Sequence, residues 1–181
     1  MIVLIGESAS GKTTLQKMLI DSNKKYKKLV TYTTRPMRKG EVDGVDYHFI
    51  PQTTFDEFVK RDFFIEHAKY RDWSYGTARA DCESDDNTIA ILTPAGLRSL
   101  KRLNFNVTSI YLYVDRRSRL INILARGDNI DEAYRRNLSD VGQFDEIDKE
   151  VDYVIDNTKF HMTEEEVLIC LKKIIGDTEG I

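Results

Sequence analysis

The sequence predicts an α/β fold, in which a parallel sheet carries helices on both faces and a small, mostly antiparallel lobe is inserted into the chain. Short β-branched and aromatic runs alternate with helical patterns, as expected when parallel strands are joined by crossover helices. The apolar run 2–5 leads directly into a glycine-rich turn. Between Arg35 and about Asp81 the rhythm changes to short alternating pieces, which are typical of antiparallel strands.

The apolar pattern assigns the individual elements. Core strands are predicted at 2–5, 29–33, 88–93, 108–114 and 152–156. Apolar residues recur at spacings of three and four in the predicted helices, at 12–21, 95–103, 116–125, 132–143 and 163–175. We expect a single domain over 1–181, with a core of 1–33 and 82–181 and an inserted lobe of 34–81.

Composition limits the classes of partner. A chain of 181 residues with 41% hydrophobic content can bury one sizeable core. Lys and Arg number 27 against 30 Asp and Glu, which is too balanced for bulk binding to nucleic acid or membrane. Cys82 and Cys170 show no metal-ligand spacing, and the run 2–5 is too short for a signal segment. We expect a soluble, cytoplasmic monomer or homodimer that binds neither nucleic acid nor membrane.

A phosphate-binding loop follows the first strand. Residues 6–13 read GESASGKT, which fits GxxxxGK[ST] between a strand and an amphipathic helix. Small residues let backbone N–H groups turn inward around phosphate oxygens. Lys12 would reach the β- and γ-phosphates, and the Thr13 hydroxyl would ligate Mg²⁺. The fold is therefore expected to be of the P-loop NTPase type, with ATP bound by Gly6, Glu7, Ser8, Ala9, Ser10, Gly11, Lys12, Thr13 and Thr14.

A longer motif lies behind this loop. Residues 33–49 read TTRPMRKGEVDGVDYHF and closely resemble the guanylate kinase signature TTRxxRxGExxGxDYxF. The resemblance extends with weaker spacing over nearly the whole chain. It implies a kinase that transfers the γ-phosphoryl group of ATP to a nucleoside monophosphate, with GMP or dGMP favoured. The inserted lobe would then hold the acceptor.

The acceptor's phosphate needs cationic and hydroxyl donors. Planar guanidinium groups are best suited to a phosphomonoester, and Arg35 and Arg38 supply them, with Tyr47 as a neutral donor. In the resembling family the matching residues bind the acceptor's phosphate, together with a tyrosine in a YG[ST] segment. That segment corresponds here to residues 75–77, with Tyr75 as the tyrosine. The alternative is that the arginines are surface charges and the tyrosines core residues.

Guanine recognition needs a buried acceptor for the N1–H and the exocyclic amine. Glu66 lies in the segment 63–67, which resembles the family's FIE segment, whose glutamate reads the base. The hydroxyls of Thr31 and Thr77 match further base contacts of the family. The alternative is that Glu66 lies on the exposed face of a strand.

One stretch departs from the resemblance. Family members carry acids in an LDIDxxG-like strand, whereas residues 89–96 contain no carboxylate. The departure leaves strict guanine selectivity open, and the support of Mg²⁺ would have to come from Thr93, a water or another acid. Asp115 is one possible substitute, and the N-cap of the following helix is the other reading of it.

The resemblance also implies a lid at about 126–140 and extends to the last strand. Residues 126–127 match the family's RG element, and 132–136 resemble its ExIxxR helix with a one-residue offset. The family's lid arginines neutralise charge on the migrating phosphoryl group, so the predicted catalytic residues are Lys12, Arg126 and Arg136. Arg135 competes with Arg136, whereas Arg116, Arg117 and Arg119 read as surface charges of a helix. Asn157 ends the last strand, where the resemblance places a contact with the donor adenine.

The expected task of the protein is to align the donor and acceptor phosphates. The acceptor's phosphate oxygen is already anionic, so no general base is required. One rival is a kinase of another (deoxy)nucleoside monophosphate or of a sugar phosphate. A second rival is a catalytically silent, guanylate-kinase-like module that binds phosphopeptides. Such modules usually have a damaged phosphate loop, whereas Lys12 and Thr13 are present here.

Overall fold

A computed structural model describes residues 1–38, 40–70, 72–82, 87–125 and 130–177. The strands are β1 (Ile2–Ile5), β2 (Lys27–Lys28), β3 (Tyr32–Thr33), β4 (His48–Phe49), β5 (Phe64–Tyr70), β6 (Trp73–Ala78), β7 (Thr88–Ile91), β8 (Thr108–Tyr113) and β9 (Tyr153–Asp156). The α-helices are α1 (Lys12–Ser22), α2 (Gln52–Lys60), α3 (Arg79–Cys82), α4 (Pro94–Arg102), α5 (Arg116–Ala125), α6 (Ile130–Asp140) and α7 (Glu164–Ile174).

The core is a parallel sheet with the strand order β2-β7-β1-β8-β9. Strand β1 is central, because it pairs in parallel with β7 on one side and with β8 on the other. Its carboxyl end leads into the glycine-rich loop 6–11, and α1 follows. The loop therefore lies at the edge of the sheet where open α/β folds bind their ligands.

Both faces of the sheet are covered, as the sequence predicts. In β1, Ile2 and Leu4 belong to an apolar cluster with α1 and α7, whereas Val3 and Ile5 belong to a second cluster with α4. All four are buried, and each buried side chain of this size contributes about 1.5–3 kcal/mol. The uninterrupted apolar run of β1 is thus explained by burial on both sides of a parallel sheet.

The second sheet forms the inserted lobe and has the order β4-β3-β6-β5. Strands β5 and β6 form an antiparallel hairpin, β3 is antiparallel to β6, and β4 is parallel to β3. Strand β5 packs against α4, which joins the lobe to the core. A mostly antiparallel lobe is what the change of rhythm after Arg35 predicts.

The predicted core strand 29–33 is wrong. The edge strand of the core is Lys27–Lys28, which pairs with β7, and Tyr32–Thr33 pairs with Gly76 and Tyr75 in the second sheet. The chain passes from the first sheet to the second between these two strands. Leu29, just after β2, is still buried and donates its N–H to the Ile89 carbonyl of the first sheet. Hydrophobic pattern alone does not separate one strand from two short strands with different partners.

Helices α2 and α3 are absent from the sequence prediction, and α6 ends earlier than predicted. Helix α2 was not predicted, and it covers the lobe with Phe55, whose ring stacks on Phe64 with centroids 4.6 Å apart. Helix α6 ends at Asp140 rather than at 143, because the chain turns at Gly142, whose φ is +77°. Within the described ranges, no helix is long and apolar enough to reach across a lipid bilayer.

Gly76 offers a test of how the lobe packs. A Cβ at this position would lie 2.8 Å from Cδ1 of Phe64, so a larger residue must displace a packed ring. We expect Gly76→Ala to lower the free energy of unfolding by about 1–3 kcal/mol, measured by urea denaturation. The control is the same substitution in a Phe64→Leu background, where the cost should shrink. An equal cost in both backgrounds would place the strain elsewhere.

Candidate active site

The phosphate loop is tightly folded against strand β8. A Cβ at Gly6 would lie 2.7 Å from the Leu112 carbonyl oxygen, so only glycine fits there. Gly11 has a φ of +96°, and Ala9 takes a left-handed φ of +65°, which is uncommon for a residue with a Cβ. The tight turns bring the loop's backbone to the start of α1, the geometry that favours anion binding.

Lys12 folds back over the loop. Its Nζ donates to the Glu7 carbonyl oxygen at 2.7 Å and to Ser10 Oγ at 3.3 Å. Burial lowers the pKa of Lys12 to about 8, while the carboxylates of Asp140 and Glu7 act in the opposite direction. The ammonium is therefore held at the centre of the loop, in surroundings that favour an added anion.

Glu7 stands behind the loop. Tyr111 Oη donates to its Oε2 at 3.0 Å, and Arg119 Nη2 lies 3.5 Å from its Oε1. Burial, followed by the neighbouring Glu7 carboxylate, raises the pKa of Tyr111, so this phenol stays a neutral donor. Glu7 was predicted as an ATP-binding residue, and the structure gives its side chain these two protein partners.

One cleft of about 460 Å³ joins the loop to the lobe, a size suited to a small-molecule ligand. The loop contributes Gly6, Lys12 and Thr13 to its lining. The whole predicted acceptor set lines the same cleft, namely Thr31, Arg35, Arg38, Tyr47, Glu66, Tyr75 and Thr77. Residues from both sheets thus meet in one cavity, with the phosphate loop at one wall and the lobe at the other.

Arg35 is held in a fixed orientation. Its Nη1 and Nη2 donate to Glu41 Oε2 at 3.0 Å and Oε1 at 2.7 Å, and Nη1 also donates to the Pro36 carbonyl at 2.8 Å. These bonds occupy one edge of the guanidinium and leave the Nε–Nη2 edge, which can bind a phosphate in the bidentate manner. Glu41 was not among the predicted site residues, although it is the glutamate of the quoted motif.

The two predicted tyrosines lie beside this arginine. Arg35 stands over the Tyr47 ring at 5.5 Å, and the rings of Tyr47 and Tyr75 meet edge to face with centroids 6.2 Å apart. Burial raises the pKa of Tyr47, so its phenol is protonated and able to donate at neutral pH. Two phenol side chains and a permanent cation therefore lie together in the lining of the cleft.

Glu66 lines the same cleft. It pairs in register with Thr77 across the β5–β6 hairpin, and Thr77 Oγ1 donates to its Oε1 at 2.7 Å. Burial raises the pKa of Glu66, whereas the Thr77 bond lowers it. Gly96 leaves room for this carboxyl, because a Cβ there would lie 3.3 Å from Glu66 Cδ. Glu66 is thus a largely buried acceptor, not a residue of an exposed strand face.

A second cavity of about 280 Å³ lies at the loop and is lined by four more of the predicted ATP-binding residues, Ser10, Gly11, Thr14 and Asn157. Glu7, Ser8 and Ala9, which were also predicted, line neither of these two cavities. Asn157 is bonded to the backbone of Met162, accepting from its N–H at 2.8 Å and donating to its carbonyl at 3.3 Å. Its amide therefore shapes the wall of this cavity. Phe160 supplies an aromatic side chain to the same wall.

Asp115 and Thr93, which the sequence offered as supports for Mg²⁺, both cap helices in the structure. Asp115 accepts from the Ser118 N–H at 3.0 Å and from the Lys159 N–H at 2.7 Å, so it caps α5 and takes no part in the cleft. Thr93 Oγ1 accepts from the Gly96 N–H at 3.1 Å and caps α4. The carboxylate that does line the cleft beside the loop belongs to Asp140.

Mg²⁺ fits this donor set. In the part of the chain that the structure describes, no cluster of three or more His, Cys, Asp or Glu residues is placed to hold a metal. Mg²⁺ in nucleotide sites is held mainly by phosphates, water and one or two protein oxygens, so such a cluster is not required. Thr13 would supply the hydroxyl oxygen from the first turn of α1.

The lid arginines were predicted from the motif, and Arg126 and the side chain of Arg136 lie outside the described residues. Arg135 is exposed, and its Nε donates to the Asp131 carbonyl one turn earlier in α6. The reading of Arg119 as a surface charge is wrong. Arg119 is buried, and it donates to the Val114 carbonyl after β8 and to the Ser8 carbonyl of the phosphate loop.

The parallel sheet and the loop at the end of its central strand define a nucleotide-binding protein of the P-loop α/β class. Comparison with known proteins gives the family. The family model for guanylate kinase matches residues 1–175. The chain belongs to the guanylate kinase family.

Individual relatives agree with this. A guanylate kinase of Rhodopseudomonas palustris is 32% identical over 178 residues, which cover 95% of this chain and 81% of the relative. In another strain the match is 48% identical over 84 residues, covering 46% of this chain and 38% of that relative's length. The crystal structure of guanylate kinase from Anaplasma phagocytophilum superposes with a TM-score of 0.71 at 21% identity, covering 100% of this chain and 86% of that one.

The low pKa of Lys12 makes a prediction for nucleotide binding. A bound phosphate favours the charged ammonium, so above its pKa of about 8 the protein must take up a proton to bind ATP. We expect the affinity for ATP to fall about eightfold from about pH 7.5 to about pH 9. Calorimetry in buffers of different ionisation enthalpy measures both the affinity and the proton uptake. The exposed Lys17→Gln variant should keep this profile, and a flat profile in the native protein would contradict the assignment.

The Arg35–Glu41 pair makes a prediction for the acceptor. Because Glu41 fixes the guanidinium, Glu41→Gln should raise the KM for the acceptor monophosphate about tenfold and leave the KM for ATP unchanged. Steady-state kinetics with each substrate varied in turn measures the two constants. Glu57→Gln, an exposed substitution on α2 of the same lobe, is the matched control. An equal rise in both KM values would show general damage instead of lost orientation.

Proposed function

We propose that this protein transfers the γ-phosphoryl group of Mg²⁺-bound ATP to GMP or dGMP, giving ADP and the corresponding diphosphate. The observation that carries the proposal is the shared cleft. Lys12 and Thr13 of the phosphate loop line one wall, and the cationic, hydroxyl and carboxyl groups of the lobe line the other. A donor and an acceptor bound to the two walls would face each other across one cavity.

The residues of the cleft account for the transfer by positioning. Lys12 would bind the donor's phosphates, and the Nε–Nη2 edge of Arg35 would bind the acceptor's phosphate, with Arg38, Tyr47 and Tyr75 beside it. The acceptor oxygen is anionic, so the protein need not remove a proton. When bound, Mg²⁺ would neutralise negative charge on the donor's phosphates, with the Thr13 hydroxyl as a protein ligand. Arg126 and Arg136 are proposed to add positive charge from the lid.

Glu66 supports guanine as the base. Its carboxylate can accept from both the N1–H and the exocyclic amine of guanine, while Thr77 already holds one of its oxygens. Adenine presents an unprotonated N1 at the same position and would leave a buried carboxylate facing a lone pair. A buried, unmatched polar edge discriminates strongly, so the missing acids of β7 need not remove guanine selectivity.

The remaining expectations belong to the same proposal. The second cavity, with Thr14 and Asn157, is proposed to take the donor's adenine, since it borders the loop at Ser10 and Gly11. A cytoplasmic location and a monomeric or homodimeric state are proposed from the likeness to the family. The intact loop and the acceptor set favour this activity over a silent phosphopeptide-binding module.

The test is ADP release from Mg²⁺-bound ATP with GMP, dGMP, AMP, dAMP, CMP, UMP, dTMP and ribose phosphates offered separately. We expect selective turnover of GMP or dGMP, near loss of turnover in Lys12→Ala, and a fall of about a hundredfold in kcat/KM for GMP in Glu66→Gln. Glu57→Gln should behave as the native protein does. Turnover of a different acceptor would overturn the guanine assignment, and normal turnover in Lys12→Ala would overturn the role of the loop.

A further inference from the structure

A buried cation lies against the phosphate loop. Arg119 of α5 is only 5% exposed. Its Nε donates to the Val114 carbonyl at 3.0 Å, and its Nη1 donates to the Ser8 carbonyl at 3.3 Å. A buried guanidinium is costly unless it is paired, so these contacts tie the end of β8 to the first half of the loop.

Asp140, the last residue of α6, completes the cluster. Its Oδ2 lies 3.6 Å from Arg119 Nη1 and accepts from the Ser8 N–H at 2.8 Å, while Ser8 Oγ lies 3.5 Å from its Oδ1. The Ser8 N–H belongs to the loop whose backbone donors bind phosphate oxygens. A carboxylate on that donor has the same charge and the same acceptor chemistry as a phosphate oxygen.

The two carboxylates of the cluster lie on different sides of the loop. Glu7 is held behind it by Tyr111 and Arg119, whereas Asp140 lines the cleft together with Lys12. A triphosphate on Lys12 would therefore add like charges next to Asp140 in partly buried surroundings, where screening is weak. Asp140 and the triphosphate compete for the same end of the loop.

We propose that Asp140 is a positioning residue of the phosphate loop: its carboxylate accepts from the Ser8 N–H and fixes the end of α6, and a triphosphate that binds the loop displaces it. Arg119 keeps its bonds to the loop in both states, because its contacts with Ser8 and Val114 are to carbonyl oxygens behind the phosphates. Binding of the donor is thereby coupled to release of α6. This inference rests on the loop being the phosphate site of the proposed function.

The first test is the affinity for inorganic tripolyphosphate, which has neither base nor sugar. Asp140→Asn removes the charge and keeps the shape, and we expect it to bind tripolyphosphate about tenfold more tightly than the native protein in calorimetry without Mg²⁺. Asp145→Asn makes the same change of net charge at an exposed position and should leave the affinity unchanged. A gain in affinity cannot arise from damage to the fold.

The second test follows helix α6. In native protein, amide hydrogen exchange of residues 137–141 should speed up when tripolyphosphate binds, because the Asp140 contact is lost. In Asp140→Asn these amides should exchange faster before any ligand is added. Unchanged or slower exchange in the native protein would overturn the coupling to α6.

The outcomes separate this inference from the proposed function. Equal or weaker tripolyphosphate binding by Asp140→Asn overturns the inference, and weaker binding only when Mg²⁺ is present would make Asp140 a support for the metal instead. Tighter binding supports the inference even if native protein fails to phosphorylate GMP, a result that would overturn the proposed function alone. If native protein binds no tripolyphosphate, the inference falls, whereas the proposed function is still decided by turnover of GMP.

Discussion

The close packing of the phosphate loop against strand β8 is the constraint on which the active cleft depends. Gly6 lies so near the Leu112 carbonyl that a Cβ would be 2.7 Å from its oxygen. Lys12 folds back over this loop in partly buried surroundings, and the loss of solvation brings its pKa to about 8. The same packing turns Glu7 away from the cleft toward Tyr111 and Arg119. The loop is thus supported from behind by paired charges and open toward the cleft, which is the arrangement an incoming anion requires.

The lobe is organised by a different principle, in which polar groups are oriented before any ligand arrives. Glu41 occupies one edge of Arg35 and leaves the other edge for a phosphate. Thr77 holds one oxygen of Glu66, so the buried carboxylate keeps its orientation. Groups that are already oriented lose little entropy on binding, and this favours precise placement of the acceptor opposite Lys12. The parallel sheet therefore supports the phosphate loop, and the second sheet presents the acceptor residues. Both sets of residues line the same cleft.

The phosphate loop and the acceptor set could be proposed from the sequence because each lies in a short local pattern, and the structure brings the acceptor set together in one cleft. Asp140 and Arg119 were not recognised as parts of the site, since they reach Ser8 from positions 132 and 111 residues away along the chain. Glu41 lies within the acceptor motif, yet its bidentate pairing with Arg35 depends on the three-dimensional fold of that motif. The prediction of a strand at 29–33 is wrong for a related reason. An apolar run does not show that its two ends pair in different sheets.

Direct transfer between two bound nucleotides is the central claim, and phosphorus NMR of ATP, GMP and Mg²⁺ with the native protein tests it most directly. If the cleft brings the donor and acceptor together and excludes water, GDP and ADP should appear in equal amounts, with inorganic phosphate staying at the level of a protein-free control. Release of inorganic phosphate without matching GDP would contradict the account, since it would mean that the loop binds ATP but the lobe does not present the acceptor to it.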